Sequence, residues 1–562
     1  MEKFQENELR SPLSLFYQWE RETPDLPFLR QPSGEEWTEM TYGEAGKEIR
    51  RMAEVLRSKG LGRGSHIGIL SKNCTHWVLA DLAISMAGAV SVPFFANLTA
   101  AELGEVVRLG DVEALFVGKI ENWESQKTEL PEEVQIIRFP HYPGAVSVQE
   151  GEAWDALVSQ ADPVKGEPHP DWDDIWTIVF TSGTTGTPKG VVHDYRNIGT
   201  LIANEFRHHT IGFSNSMGKA RHFSYLPLNH VADRIALSGT LMSGGSISFA
   251  ESLDTFAANL QATRPTIFLA VPRIWSRFQA GVFEKIPPKR LDTLLRIPII
   301  SGLVKRRILG AMGLGSVKTC ITSTAITPEP VKQWFGRLGV VLTEVYGMTE
   351  CLGPFTAMPK GERRTDSVGK PLPNSEGGID PETREILIRV PWMMKGYYKD
   401  QEQTAQVLKG DWLHTGDHGD VDEEGFFRVL GRVRDTFKTS KGKFVVPSQL
   451  EDHFAESELI SQVCVMGLGL NQPVGLVVLS EIARQLDQSH LQEALTELYK
   501  QVNARLHRYE RLSHLIMVPE QWSDQNHFLT PTLKLRRNVI REHYEDALNR
   551  WVSMESGLVW EL

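Results

Sequence analysis

Residues Ile175 to Gly190 read IWTIVFTSGTTGTPKG. The first six are apolar and rich in β-branched or aromatic side chains, the composition of a buried strand. The next ten hold four threonines, three glycines, one serine, one proline and one lysine, and cannot form a core. A buried strand that runs straight into a glycine-rich hydroxyl loop is a frame for binding an anion. Glycines let backbone N–H groups turn toward a phosphate, hydroxyls add donors and a lysine adds charge. The loop is not a Walker A motif. That motif needs Gly-Lys-[Ser/Thr], whereas Gly186 is followed by Thr187 and Pro188, and Lys189 is followed by Gly190.

Working outward, helix and strand patterns alternate on the N-terminal side. Thr41-x-x-Glu44 has capping-box spacing, and Ala45, Ile49, Met52, Ala53 and Leu56 then recur at helical spacing up to a stop at Gly60. HIGILS is a short strand. Trp77 to Phe95, WVLADLAISMAGAVSVPFF, is broken by Asp81, Gly88 and Pro93, and reads as a buried helix followed by a strand, not as a membrane span. A helix over 101–109 and a strand at 114–118 follow. Such alternation implies an α/β domain with a mainly parallel sheet. Residues 121–174, rich in Glu, Asp and Pro, read as surface elements and a connecting loop. Residues 367–435 look antiparallel, with REILIRV and GFFRVLG as strands. Beyond them, VCVMGLG and VGLVVLS precede a helix with Leu491, Leu495, Leu498, Val502 and Leu506 on one face. This places a domain boundary near residue 434, between a large domain (1–433) and a small one (434–562).

Composition narrows the function. The 562 residues exceed one core, and a net charge of −11 argues against nucleic acid as a partner. Cys74, Cys320, Cys351 and Cys464 are far apart without metal spacing, which suits free thiols in a reducing cytosol. The opening residues MEKFQENELRSPL are charged and polar, unlike a signal peptide. One stretch stands apart. Arg290 to Gly315, RLDTLLRIPIISGLVKRRILGAMGLG, mixes Ile/Leu runs with Arg290, Arg296, Lys305, Arg306 and Arg307, a candidate for peripheral membrane contact. Ordinary amphipathic helices are the competing reading.

Five further motifs follow in order. YLPLNHVADR spans Tyr225–Arg234, VYGMTE spans Val345–Glu350, and DWLHTGDHGDVDEEGFF contains Asp417. GRVRDTFKTSKGKFVVPSQLE contains Arg432 and Arg434, and LTPTLKLRR spans Leu529–Arg537. Together with the glycine-rich loop, these resemble the AMP-forming adenylating enzymes: acyl-CoA synthetases, luciferases and peptide-synthetase adenylation domains. The resemblance covers nearly the whole chain and is nearest to long-chain fatty acyl-CoA synthetases in the forms of YLPLNHVADR and LTPTLKLRR. It implies a large multi-subdomain N-terminal domain with mainly parallel sheets and a small β-barrel-like subdomain, and a small mobile α+β C-terminal domain. It also implies the reaction: ATP activates a fatty acid to an acyl-adenylate with release of pyrophosphate, and coenzyme A then takes the acyl group.

Residue by residue, the resemblance makes Lys534 the catalytic lysine and Thr181, Ser182, Gly183, Thr184, Thr185, Gly186 and Lys189 the phosphate cradle. Glu350, with Thr184, becomes the Mg²⁺ ligand, and Thr349 a phosphate contact. Tyr346 and Gly347 lie against adenine, with Thr324 at its edge. Asp417 holds the ribose hydroxyls, Arg432 is a second ribose or phosphate contact, and His230 lines the acyl pocket. Arg434 stands at the hinge. Three departures from the family pattern are visible: Arg434 where Asp or Lys is usual, TSTA over Thr322–Ala325 where smaller residues are usual, and Asp233 in place of Glu. Two alternatives stand beside this reading: an acyl-AMP ligase that delivers to a carrier protein, and a non-catalytic lipid- or nucleotide-binding relative. The expected location is the cytoplasm. Monomer and homodimer are both open.

Overall fold

The computed structural model describes residues 3–561 except 182–187, 213–219, 324, 326, 363, 365, 441–442, 455–456, 524 and 531–534, with residue 549 described in its backbone only. The chain is mixed α/β and divides into two compact units. The larger comprises Met1–Gly377 and Ile388–Leu413, the smaller Gly378–Leu387 and His414–Leu562.

Two large sheets organise the larger unit. One has eight strands in the order Gly396–Tyr397, Lys189–Asp194, Ile175–Thr181, Val90–Phe94, His66–Leu70, Val112–Val117, Gln135–Arg138 and Glu152–Ala153. It is parallel from Ile175–Thr181 outward to Glu152–Ala153, and antiparallel at the two strands on the other side. The second has nine strands, parallel through its centre and antiparallel at both edges. Every residue of His66–Leu70 and of Val90–Phe94 is buried, as expected for parallel strands covered on both faces.

The helices follow from their local sequence. Thr41 caps Tyr42–Ser58 by accepting from the Glu44 N–H, and the Glu44 carboxylate returns the bond to the Thr41 N–H. The apolar run from Trp77 is the helix Thr75–Ala87, stopped by Gly88 at φ 84° before the strand Val90–Phe94. Its break at Asp81 is a buried ionic site, described below. Residues 121–174, read as surface elements and a connecting loop, contain the helix Trp154–Gln160 and the strand Gln135–Arg138, each too short for periodicity to mark. No helix among the described residues is long and apolar enough to cross a membrane.

In the smaller unit an antiparallel hairpin pairs Asp417 with Arg432. Farther on, a four-stranded sheet runs Ile460–Met466, Val474–Leu479, His514–Val518 and Leu558–Trp560. Strand alternation separates its two cores. Val477, Leu515 and Met517 face the helix Gln488–Arg505, while Leu476, Val478, Ile516 and Val518 pack with Ile540, Tyr544 and Trp551 of the helix Arg537–Val552.

Candidate active site

The strand Lys189–Asp194 is the rail on which the larger unit's site is built. One edge pairs antiparallel with Ile175–Thr181, which sets Thr181 opposite Lys189 at the two feet of the glycine-rich loop. The other edge pairs with Gly396–Tyr397. At its end Asp194 caps the helix Tyr195–His208, accepting from the Asn197 N–H at 2.8 Å. The loop residues Ser182, Gly183, Thr184, Thr185 and Gly186 lie outside the described residues, as do Thr324 and Lys534.

Glu350 and Thr349 sit in a single turn of 3₁₀ helix after the strand Leu342–Met348. Two groups from the rail's surroundings fix them. The His193 ring donates from Nε2 to the Thr349 carbonyl at 2.7 Å, and burial lowers its pKa to about 4, so it is neutral. The Tyr397 hydroxyl donates to Glu350 Oε1 at 2.8 Å, while Met394 N donates to the Glu350 carbonyl at 2.8 Å. The same Tyr397 ring carries the Lys189 ammonium 5.1 Å from its centroid. One oxygen of Glu350 is therefore fixed in place, and the other has no donor among the described residues. A carboxylate with one oxygen held and one open suits a magnesium ion that takes most of its ligands from phosphates and water.

The segment expected to meet adenine has a steric logic. Tyr346 stands edge-on to Phe355, centroids 6.4 Å apart, and the strand bulges between Tyr346 and Gly347. A Cβ at Gly347 would stand 1.6 Å from the Gly353 carbonyl oxygen, so only glycine fits. Thr322 is fully buried, with its hydroxyl 2.6 Å from that of Thr327, so its bulk is absorbed by the core.

The motif YLPLNHVADR splits into two roles. His230 caps the helix Val231–Met242, its Nδ1 accepting from the Ala232 N–H at 3.2 Å. Facing this helix, residues of Tyr195–His208 close a small, mainly apolar cavity of about 20 Å³, lined by Ile198, Leu201, Ile202, Ile211, Ile235 and Met242. Asp233 and Arg234 turn the other way, into the core. Asp233 meets His222 Nε2 at 3.0 Å and accepts from Ser224 and Asn73. Arg234 pairs with Asp81, donates to the Thr177 hydroxyl and lies over the Trp176 ring at 4.2 Å.

In the smaller unit, Gly416 at φ 71° turns the strand just before Asp417. The Asp417 carboxylate is buried and pairs with Arg432 Nε at 3.0 Å, while half-exposed Arg432 also donates to the Thr415 carbonyl at 3.3 Å. Arg434 is exposed and lies 3.6 Å from Asp435. Asp435 in turn lies 3.4 Å from Arg537, and the half-buried Arg537 guanidinium meets both oxygens of Glu451. This pair raises the arginine's pKa, the two carboxylates outweighing the largest single influence, burial, which lowers it. Leu529 and Leu535 pair in an antiparallel backbone bridge. Arg537 thus ties the segment after Lys534 to the residue beside Arg434.

Sequence reasoning missed Tyr397, His193 and the Arg537–Glu451 pair. GYYKD carries no motif signal by itself, and its meaning comes from strand pairing with residues two hundred positions earlier.

Residues 16–398 match the family model described as AMP-binding enzyme, and residues 434–555 match the AMP-binding enzyme C-terminal domain. The chain is 28% identical to the peroxisomal long chain acyl-CoA synthetase 6 of Arabidopsis thaliana, over 91% of this chain and 81% of that one. It is 28% identical to fatty acyl-CoA synthetase A of Dictyostelium discoideum, over 91% and 85% respectively. Among solved structures it superposes on an anthranilate CoA ligase with TM-score 0.78 at 21% identity, covering 96% and 98% of the two chains. It also superposes on the adenylation domain of a Mycobacterium chelonae carboxylate reductase with TM-score 0.80 at 22% identity, covering 96% and 91%. Two family matches that together span most of the sequence, on a chain whose half-held carboxylate lies by the strand Lys189–Asp194, lead to one conclusion: this chain belongs to the AMP-binding enzyme family.

Proposed function

We propose that the protein is an AMP-forming ligase that activates a long-chain fatty acid and transfers it to coenzyme A, acting in the cytoplasm. The carrying observation is Glu350, held by Tyr397 through one oxygen with the other left open, next to the strand that ends the loop. Long-chain acids are favoured by the names of the curated relatives.

In the first step a carboxylate oxygen of the acid bonds to the α-phosphorus of ATP. The bond from that phosphorus to the bridging oxygen breaks, and pyrophosphate leaves with the electron pair. Two anions must meet, so positioning and positive charge matter more than proton transfer. Lys534 supplies the charge between carboxylate and α-phosphate. Lys189 and the loop backbone hold the outer phosphates, Tyr346 covers the adenine, and Asp417 with Arg432 holds the ribose. Magnesium bound with ATP neutralises phosphate charge, and Glu350 is the protein's ligand to it. In the second step the thiolate of coenzyme A bonds to the acyl carbon and AMP leaves. Rotation of residues 434–562 about Arg434, exchanging Lys534 for a thiol-binding face, separates the steps.

The test is a product screen. The protein is mixed with ATP, Mg²⁺, coenzyme A and an equimolar pool of acids from acetate to long-chain and aryl acids, and products are read by mass spectrometry. A narrow band of long acyl-CoAs is expected. Acyl-AMP and pyrophosphate without acyl-CoA point to a carrier-protein acceptor, and aryl-CoA products alone remove the fatty-acid assignment.

A further inference from the structure

The basic, apolar stretch singled out in the sequence forms a helical hairpin, Pro288–Arg296 and Ile300–Ala311, in the larger unit. Its inward side is fully used. Leu291 and Ile308 are buried, and Leu295, Val304 and Leu309 pack with them on a core that contains Trp275, Trp334 and Phe335. The tip is different. Ile299 is 93% exposed and Leu303 69%, with Ile297 and Ile300 also open to solvent. Ile299 sits at φ 69°, a conformation that a β-branched residue avoids, and this turn projects its side chain away from the fold. Isolated exposed leucines are common, but four neighbouring apolar residues at one helical corner form a patch.

Charge surrounds that patch in an ordered way. Residues 288–315 carry six basic side chains against one acid, in a chain whose net charge is −11. The single acid, Asp292, is taken by Arg337 at 2.7 Å. Lys289, Arg290, Arg296, Lys305, Arg306 and Arg307 form no ion pair among the described residues. Arg306 and Arg307 follow Leu303 by three and four positions, so they lie on the same side of the helix about one turn behind the apolar tip. A helix turn is about 5.4 Å. Apolar groups that enter the outer acyl region to a depth of roughly 5–10 Å would therefore leave the two guanidiniums at phosphate level.

We infer that the 288–311 hairpin docks the protein on an anionic lipid bilayer, with Ile299 and Leu303 inserted and Arg296, Arg306 and Arg307 meeting headgroup phosphates. The inference does not depend on the reaction proposed above. An acidic protein would be repelled by such a surface on average, so attachment confined to one basic corner also fixes orientation.

The test is flotation of the full chain with vesicles of equal parts phosphatidylglycerol and phosphatidylcholine, and with phosphatidylcholine alone. The wild type is expected to float with the anionic vesicles at low salt and to be released as salt rises. An Ile299→Glu/Leu303→Glu variant should lose binding at every salt concentration. An Arg306→Gln/Arg307→Gln variant should bind roughly 30-fold more weakly, as expected for two lost cations, with a shallower salt dependence. Both variants should keep the wild-type melting temperature, since all four side chains lie outside the core. Failure of the wild type to float, or flotation unaffected by the Ile299→Glu/Leu303→Glu change, overturns the inference. So does a wild-type dimer in light scattering that this variant converts to monomer, because the tip would then be a protein interface.

Discussion

Arg234 with Asp81, and Arg432 with Asp417, are built from the same two side chains and do different work. The first pair is sealed: the arginine side chain is 2% exposed and the aspartate 7%, with Thr177 and Trp176 filling the surroundings. Nothing can reach it, so its polarity serves the fold. In the second, Asp417 is 9% exposed but Arg432 is 42% exposed. That guanidinium still meets solvent and can meet a ligand. An ion pair in the core holds chain segments together, whereas a half-open pair keeps a carboxylate oriented until something else arrives. Position relative to solvent, not residue type, separates the two roles.

The contrast can be broken most forcefully at Arg234. Arg234→Ala leaves Asp81 charged and buried, at an expected loss of about 3–5 kcal/mol. The double variant Asp81→Leu/Arg234→Met should recover much of that, because the charge is removed together with its partner. Denaturant titration measures both, and equal instability of the single and double variants would mean that packing, not charge, is at stake.

Lys534→Ala belongs to the opposite class. Adenylate formation should fall roughly 100-fold or more, as for other lost transition-state charges. Thioester formation from supplied acyl-adenylate should survive, with unchanged melting. Equal loss in both half-reactions contradicts the proposed domain rotation. Asp417→Asn should raise the KM for ATP about tenfold, near 1.4 kcal/mol, and leave stability within the range of ordinary surface changes. A large drop in melting temperature would place this pair with Arg234 and Asp81.

His193 sharpens the comparison through pH. Burial holds its folded pKa near 4 against an ordinary 6.5. The unfolded chain therefore takes up the proton first. The resulting stability is complete above about pH 6.5 and is lost as pH falls toward 4, by up to about 1.4 kcal/mol per pH unit. His193→Gln keeps a donor for the Thr349 carbonyl and removes the titration, so its stability should fall less between pH 7 and pH 5. Parallel pH profiles would remove His193 from the account. The smallest effect is expected at Tyr397→Phe. Losing one hydrogen bond to Glu350 should weaken Mg²⁺-ATP binding by about 1 kcal/mol, roughly fivefold in calorimetry, with binding of metal-free AMP unchanged. Equal weakening of both would show that Tyr397 shapes the nucleotide pocket and not the carboxylate.

Local signals in the sequence were read well because their causes are local. The Thr41–Glu44 cap, the helix that stops at Gly88 and the strand that feeds the loop each depend on a few adjacent residues. The order of the two sheets was not legible, since the pairing of 189–194 with 396–397 joins segments that share no pattern. The site was legible as motifs but not as roles. YLPLNHVADR reads as one unit, yet its last two residues are core ions because Asp81 and Asn73 lie in segments far back in the chain. Arg537 likewise reads as one more basic residue after Lys534 until Glu451 is set against it.

The feet of the glycine-rich loop have one more implication. Thr181 and Lys189 are held opposite each other by the strands they belong to, whose register continues through Ile178 with Val192 and Val179 with Val191. Folding therefore does not count the residues between them, and adding or removing one changes closure entropy only slightly. The proposed chemistry would count them, because a loop that cradles phosphate needs its amides at fixed spacing. A variant with one loop glycine deleted would pass every quality check of expression, solubility and melting while being inert. Thermal stability is the wrong screen for errors in this segment.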